Sequence, residues 1–182
     1  MRFLNLLTLT LSISSLTLAT PTPAQQLPYP ANSTFFTGTP PSLVSANTPD
    51  PLIAWPHPHY YFTFNLPASS PESLAKITIA PEANQETIGF DLLKTVASQS
   101  TANTKEATVA LESITQDPKS GLITMTFNPP ISPGTTLTVT LQAYRNPGIP
   151  GTYLFRVQAF PAGENPVGLD LGVGSLSFHQ LL

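Results

Sequence analysis

In Tyr60–Leu66 every second residue is large and apolar: Tyr60, Phe62, Phe64 and Leu66 alternate with Tyr61, Thr63 and Asn65. A period of two places alternate side chains on opposite faces of an extended strand, whereas a helix repeats near 3.6. The same pattern returns in Thr136–Leu141, with Leu137, Val139 and Leu141 on one side and three Thr on the other. It returns again in Ile123, Met125 and Phe127, and in Tyr153, Phe155, Val157 and Ala159. Leu74–Ala80 reads as a further strand through Ile77 and Ile79. Turn chemistry separates these runs: Pro67, Pro81, Asp117-Pro118-Lys119-Ser120-Gly121, Pro129-Pro130 and Ser132-Pro133-Gly134. A strand with one apolar face must cover it, and a second sheet does so. The pattern predicts an all-β, two-sheet antiparallel sandwich of immunoglobulin-like type.

Weaker segments are read on the same rules. Ser70-Pro71-Glu72 suits one helical turn, because Ser caps and Pro fits the first helical position. Ile88–Thr95 is ambiguous between strand and short helix; the alternation of Ile88, Phe90 and Leu92 favours a strand. Polar Ala97–Ala107 reads as a loop and Thr108–Ile114 as a strand. Pro129-Pro130 is expected to close the strand before it. Gly163, Pro166, Gly168, Gly172 and Gly174 read as a glycine-rich connection ahead of a last strand holding Leu176 and Phe178.

The chain divides into three parts. Met1-Arg2, an uncharged apolar stretch from Phe3 to Leu18, and Ala19-Thr20-Pro21-Thr22-Pro23-Ala24 have the three-part form of a secretory signal. Residues 1–24 are therefore expected to be a cleaved signal peptide, with the cut after Ala24 or after Ala19. A single Arg does not indicate the twin-arginine route. Residues 25–58 form a Pro-rich segment expected to pack on the domain, with short extended pieces at Thr34–Phe36 and Ser42–Ala46 suited to a sheet edge. Residues 59–182 are the sandwich. No later run is long and apolar enough to be an integral membrane span.

Charge sets limits on partners. Only 9% of residues are charged, against about 25% in an average soluble domain. The formal net charge is −3 and like charges never cluster. Nucleic-acid binding needs grouped Lys and Arg, so it is not expected. Cysteine is absent, which removes disulfides, thiolate metal sites and a Cys nucleophile. No cofactor motif stands out: Gly172-Val173-Gly174 lacks the rest of a dinucleotide fingerprint. No Ser sits in a Gly-x-Ser-x-Gly elbow, and the carboxylates are scattered rather than paired. An enzyme is not expected.

Two places could carry chemistry. Trp55-Pro56-His57-Pro58-His59 is the His-rich spot; in an extended backbone His57 and His59 point to one side and could reach one Zn²⁺ or Cu²⁺. Two ligands are too few, and a third would come from His179, Asp50 or a backbone amide. The plainer reading is a Pro-rich loop that packs Trp55 and leaves two imidazoles in solvent. Arg145-Asn146-Pro147-Gly148 lies between two strong strands, where Arg145 could clamp a carboxylate or a sugar-linked anion. Its plainer reading is that Arg145 pairs with Glu164 or Asp170 while Asn146-Pro147 shapes the turn.

Several stretches carry a family resemblance. They are Tyr60-Tyr61-Phe62-Thr63-Phe64-Asn65-Leu66-Pro67, Ser132-Pro133-Gly134-Thr135-Thr136-Leu137-Thr138-Val139, Arg145-Asn146-Pro147, Gly151-Thr152-Tyr153-Leu154-Phe155, Ala159-Phe160-Pro161-Ala162-Gly163 and Gly172-Val173-Gly174-Ser175-Leu176-Ser177-Phe178. Together they resemble the exported cyanobacterial family catalogued as domain of unknown function 2808. The resemblance implies export, to the periplasm or outside the cell, and brings no activity with it. The expectation is a non-catalytic envelope protein that binds or supports an envelope protein or glycan; the alternative is a periplasmic copper or zinc module.

Overall fold

The computed structural model describes residues 29–83 and 85–181, so the expected signal peptide lies outside the described residues. Ten strands form two antiparallel sheets of five. In chain order they are β1 (Ser42–Asn47), β2 (His59–Leu66), β3 (Leu74–Pro81), β4 (Val96–Thr101), β5 (Thr104–Val109), β6 (Leu111–Gln116), β7 (Ile123–Ile131), β8 (Thr135–Gln142), β9 (Gly151–Pro161) and β10 (Leu169–Phe178). The first sheet runs β1-β2-β8-β4-β5 and the second β10-β9-β3-β7-β6. The two-sheet antiparallel sandwich expected from the alternation is present.

The core is the sum of the two inward faces. Phe62, Phe64 and Val139 of the first sheet and Phe155 of the second are at most 2% exposed. Aromatic edges interlock across the sheets: Phe62 and Phe155 meet at 5.9 Å between centroids and 81° between planes. Tyr60 meets Phe90 at 5.6 Å and 82°. Edge-to-face packing of this kind places positive ring edges on negative ring faces.

The structure corrects several local expectations. Ile88–Thr95 is no strand: it ends in a 3₁₀ turn, Leu92–Lys94, whose cap Asp91 accepts from the Leu93 amide at 3.2 Å. Ile88 and Phe90 are buried as the alternation implied. Their backbone is satisfied by a side chain, because Gln116 accepts from the Phe90 amide at 3.1 Å and donates to the Ile88 carbonyl at 2.8 Å. Ala97–Ala107 is not a loop but most of the β4–β5 hairpin. Its Thr residues suit a half-exposed strand, and an apolar count misses them. Thr108–Ile114 is two strands: the chain leaves the first sheet after Val109 and joins the second at Leu111.

Nor does Pro129-Pro130 end β7, which continues to Ile131. The last β6 partner is Leu111 opposite Phe127, and the β3 pairing jumps from Lys76–Thr126 to Leu74–Ile131. The prolines occupy that gap, where no ladder needs their missing N–H. Ser70-Pro71-Glu72 forms no helical turn; the Ser70 amide closes a reverse turn onto the Pro67 carbonyl at 3.0 Å. Thr34–Phe36 makes a single bridge, Thr34 to Pro166, rather than a strand. Gly172 and Gly174 belong to β10, not to a connection. Gly172 sits at a register shift with φ +92°, and Gly174 lies where β10 crosses β1. A Cβ on Gly174 would come within 2.7 Å of the Ala46 Cβ, so a larger residue would wedge these two edge strands apart.

Candidate functional site

At one end of the sandwich the chain between β1 and β2 meets the chain between β8 and β9. Prolines at 49, 51, 56 and 58 deprive the first of these of backbone donors. Its carbonyls still need partners, and Asn146 supplies them. The Asn146 side chain is 2% exposed. Its Nδ2 donates to the carbonyls of Asp50 at 2.6 Å and Leu52 at 2.7 Å. Its Oδ1 accepts from the Tyr60 hydroxyl at 2.7 Å, and its backbone amide donates to the Trp55 carbonyl at 2.9 Å. A neutral amide has two donors and an acceptor, and all are in use. Burial pushes the Tyr60 hydroxyl well above the ordinary tyrosine range, helped by nearby Tyr153 and Glu86, so it stays a neutral donor.

Around this clamp the two loops form a short antiparallel ladder. Pro56 bridges Arg145, the His57 amide donates to the Tyr144 carbonyl at 3.1 Å, and the Ala54 amide to the Pro147 carbonyl at 2.9 Å. On its other side, the Ile53 amide donates to the His179 carbonyl at 3.0 Å. Ala54 and His57 take positive φ, 54° and 50°, on either side of Trp55-Pro56. For residues with a Cβ this conformation is strained and persists where surrounding bonds impose it. The outcome is an exposed group of side chains: Trp55 at 45%, Tyr144 at 58% and Ile149 at 66%, with Arg145 and His57 also exposed.

The site residues of the sequence reading thus separate by role. Trp55 and Arg145 are both exposed, on the two chain segments that the Pro56–Arg145 bridge joins. Asn146 lies beneath them and positions the loop. Arg145 pairs with neither Glu164 nor Asp170, contrary to the simpler expectation. Arg156 takes Asp170 at 2.6 Å and Glu82 at 2.9 Å, and Glu164 accepts from Asn32 at 2.9 Å. Among the described residues Arg145 forms no ion pair.

The left-handed turn at His57 also breaks the extended run that would have aligned it with His59. His59 is half-buried, with its ring 6.5 Å from Tyr61 and its amide on the Asp50 carboxylate at 3.3 Å. Among the described residues no three His, Cys, Asp or Glu gather as a metal-holding group. Tyr144 and Ile149 were not singled out from sequence. Tyr144 directly precedes Arg145, but it lies outside any alternating run that would mark it as inward or outward.

This arrangement defines a class: an open two-sheet antiparallel β-sandwich that displays Trp55, Tyr144 and Arg145 from loops at one end. The chain belongs to the family described as protein of unknown function DUF2808, whose pattern matches residues 33–178. Among curated proteins nothing matches. Several solved structures are similar in fold. The collagen-binding domain of a Staphylococcus aureus adhesin is 9% identical, with 78% of this chain and 99% of that one covered and a TM-score of 0.42. The bacterial hydrophobin BslA is 15% identical, with 79% and 97% covered and a TM-score of 0.46. An uncharacterised immunoglobulin-like protein from Nocardia farcinica is 13% identical, with 76% and 99% covered and a TM-score of 0.45.

Proposed function

We propose that this chain is an exported, non-catalytic β-sandwich that binds a component of the cell envelope through the loop end built on Asn146. The observation that carries the reading is that Trp55, Tyr144 and Arg145 are each exposed on two loops fixed by a fully bonded, buried amide. Aromatic and Arg side chains dominate the energetics of recognition surfaces, and fixing them beforehand lowers the ordering cost of binding. Arg145 gives the surface a bidentate donor for a carboxylate on a protein or a glycan. Export rests on the leader-like residues 1–24 and on the family resemblance, which points to the envelope of a cyanobacterium. No helix among the described residues is long and apolar enough to cross a membrane.

The test is co-sedimentation of the purified chain, from residue 25 onward, with an isolated envelope fraction. The wild-type chain is expected in the pellet and the Trp55→Ala/Arg145→Ala variant in the supernatant, with unchanged circular dichroism. Equal retention of the two proteins would overturn the reading.

A further inference from the structure

The outer face of the first sheet has a different character from the loop end. Four of its five strands, β1, β2, β8 and β4, contain no Lys, Arg, Asp or Glu. The second sheet, by contrast, carries Lys76, Glu112, Arg156 and Asp170 on its strands. The inward positions of the first sheet are Phe62, Phe64, Ala97, Leu137 and Val139, all buried. Alternation therefore turns the intervening residues outward.

Those outward residues form ordered rows. Ser45 pairs with Thr63, Thr63 with Thr138, Thr138 with Ser98 and Ser98 with Thr108. One line of five hydroxyl side chains thus crosses all five strands at the inter-strand spacing of about 4.8 Å. One pleat away, Asn65 pairs with Thr136 and Thr136 with Ser100. One pleat to the other side, Tyr61 pairs with Thr140. Rows two residues apart are about 6.7 Å from each other along a strand. Glu106, on edge strand β5, puts a carboxylate at the β5 edge of this array, where it accepts from the Ser98 hydroxyl.

We infer that this face is a second binding surface, independent of the loop end, and that it takes chains of an uncharged polysaccharide. Such a chain presents hydroxyl groups at regular intervals and no charge, as the strands β1, β2, β8 and β4 of this face do. Thr hydroxyls both donate and accept, so they match sugar hydroxyls in either orientation. Their β-branched side chains are stiff at χ1 and lose little freedom on binding. Tyr61 adds an aromatic face at the edge of the array. Sheets twist by about 20–25° per strand, so one polymer surface meets the central strands β2, β8 and β4 first. Thr63 and Thr138 lie at that centre.

The experiment is depletion of the chain from solution by amorphous cellulose, at low salt and at ~1 M NaCl. Retention is expected to be equal at both, because no charge pair is there to be screened. Thr63→Val/Thr138→Val keeps shape and strand propensity while removing two hydroxyls, and should weaken retention about tenfold. Thr138→Lys should abolish it, and Trp55→Ala/Arg145→Ala should leave it unchanged. Any of four results overturns the inference: no retention of the wild type, full retention of the Val pair, a fall of retention with salt, or loss in the Trp55/Arg145 variant. The last would assign the binding to the loop end, so the two surfaces are judged separately.

Discussion

Asn146 has more bonds to lose than any other polar side chain at the loop end. Replacing it with Ala leaves the Asp50 carbonyl and the Tyr60 hydroxyl without their partner, and the Leu52 carbonyl with only the long bond from the Trp55 amide. Buried groups left unsatisfied cost about 1–3 kcal/mol each, offset in part where water enters. Asn146→Ala should therefore destabilise by about 2–4 kcal/mol in urea unfolding. Tyr60→Phe, which orphans only the Asn146 Oδ1, should cost about 1–2 kcal/mol.

The same pair fixes an alkaline limit. The Tyr60 pKa is raised above its unfolded value of 10.0 by burial, then by Tyr153 and Glu86. Its contribution to stability is fully present below pH 10 and is lost as pH rises toward the folded value. Titration by tyrosinate absorbance should show Tyr60 ionising only as the protein unfolds, and Tyr60→Phe should remove that late step alone. Sequence made Asn146 visible as a loop residue before Pro147. Its partners were not visible, since they lie 86 to 96 residues away and pairing over such distances has no local pattern.

Alternation was legible where one face is strongly apolar. β2, β7, β8 and β9 were read because Phe, Tyr, Leu, Ile and Met mark every second position. The β4–β5 hairpin was not, because its inward side runs through Ala97 and Val109 but also Gln99 and Thr101. The switch between sheets at Ala110 leaves no sequence mark, since the chain stays extended across it. Ile88–Thr95 fooled the period count, because Ile88 and Phe90 fill the core end while the backbone makes one isolated bridge, Phe90 to Ala143, and shares its bonding with the Gln116 side chain.

One element-scale contact can be tested by adding a single methyl. Gly174 lets β10 approach β1, and a Cβ there would stand 2.7 Å from Ala46 and 3.3 Å from the Phe62 ring. Gly174→Ala should destabilise by about 1–3 kcal/mol through overpacking. Amide exchange should rise first in β1 and β10, because the clash separates the sheets along that edge. Uniform exchange through the sandwich would assign the loss elsewhere.

At the scale of the whole molecule, stability rests on packing, since the chain has no cysteine and few charges. Acid should therefore act on a small number of sites. The Asp170 carboxyl is held below the usual carboxylate range, first by the Gly172 amide and then by Arg156. The Arg156 guanidinium in turn joins Asp170 on β10 to Glu82 beyond β3, spanning three neighbouring strands of one sheet. A depressed carboxyl pKa contributes stability above the unfolded value of 3.8 and loses it as pH falls through the lower, folded value.

The melting temperature should thus stay level from neutral pH to about pH 5 and fall below about pH 4. Asp170→Asn should lower the neutral melting temperature slightly and flatten the acid limb. The effect is small because Arg156 and Asp170 are nearly half exposed and solvent screens them. In ~1 M salt, where the Debye length is about 3 Å, the Arg156 share should fade. The share from the Gly172 amide should survive, because it is a short hydrogen bond at a bulge. An acid limb in the Asn variant as steep as in the wild type would place the acid-sensitive group elsewhere. The next group to test would be the Asp117 turn, where the Ser120 and Lys119 amides and the Ser120 hydroxyl depress the carboxyl in the same direction.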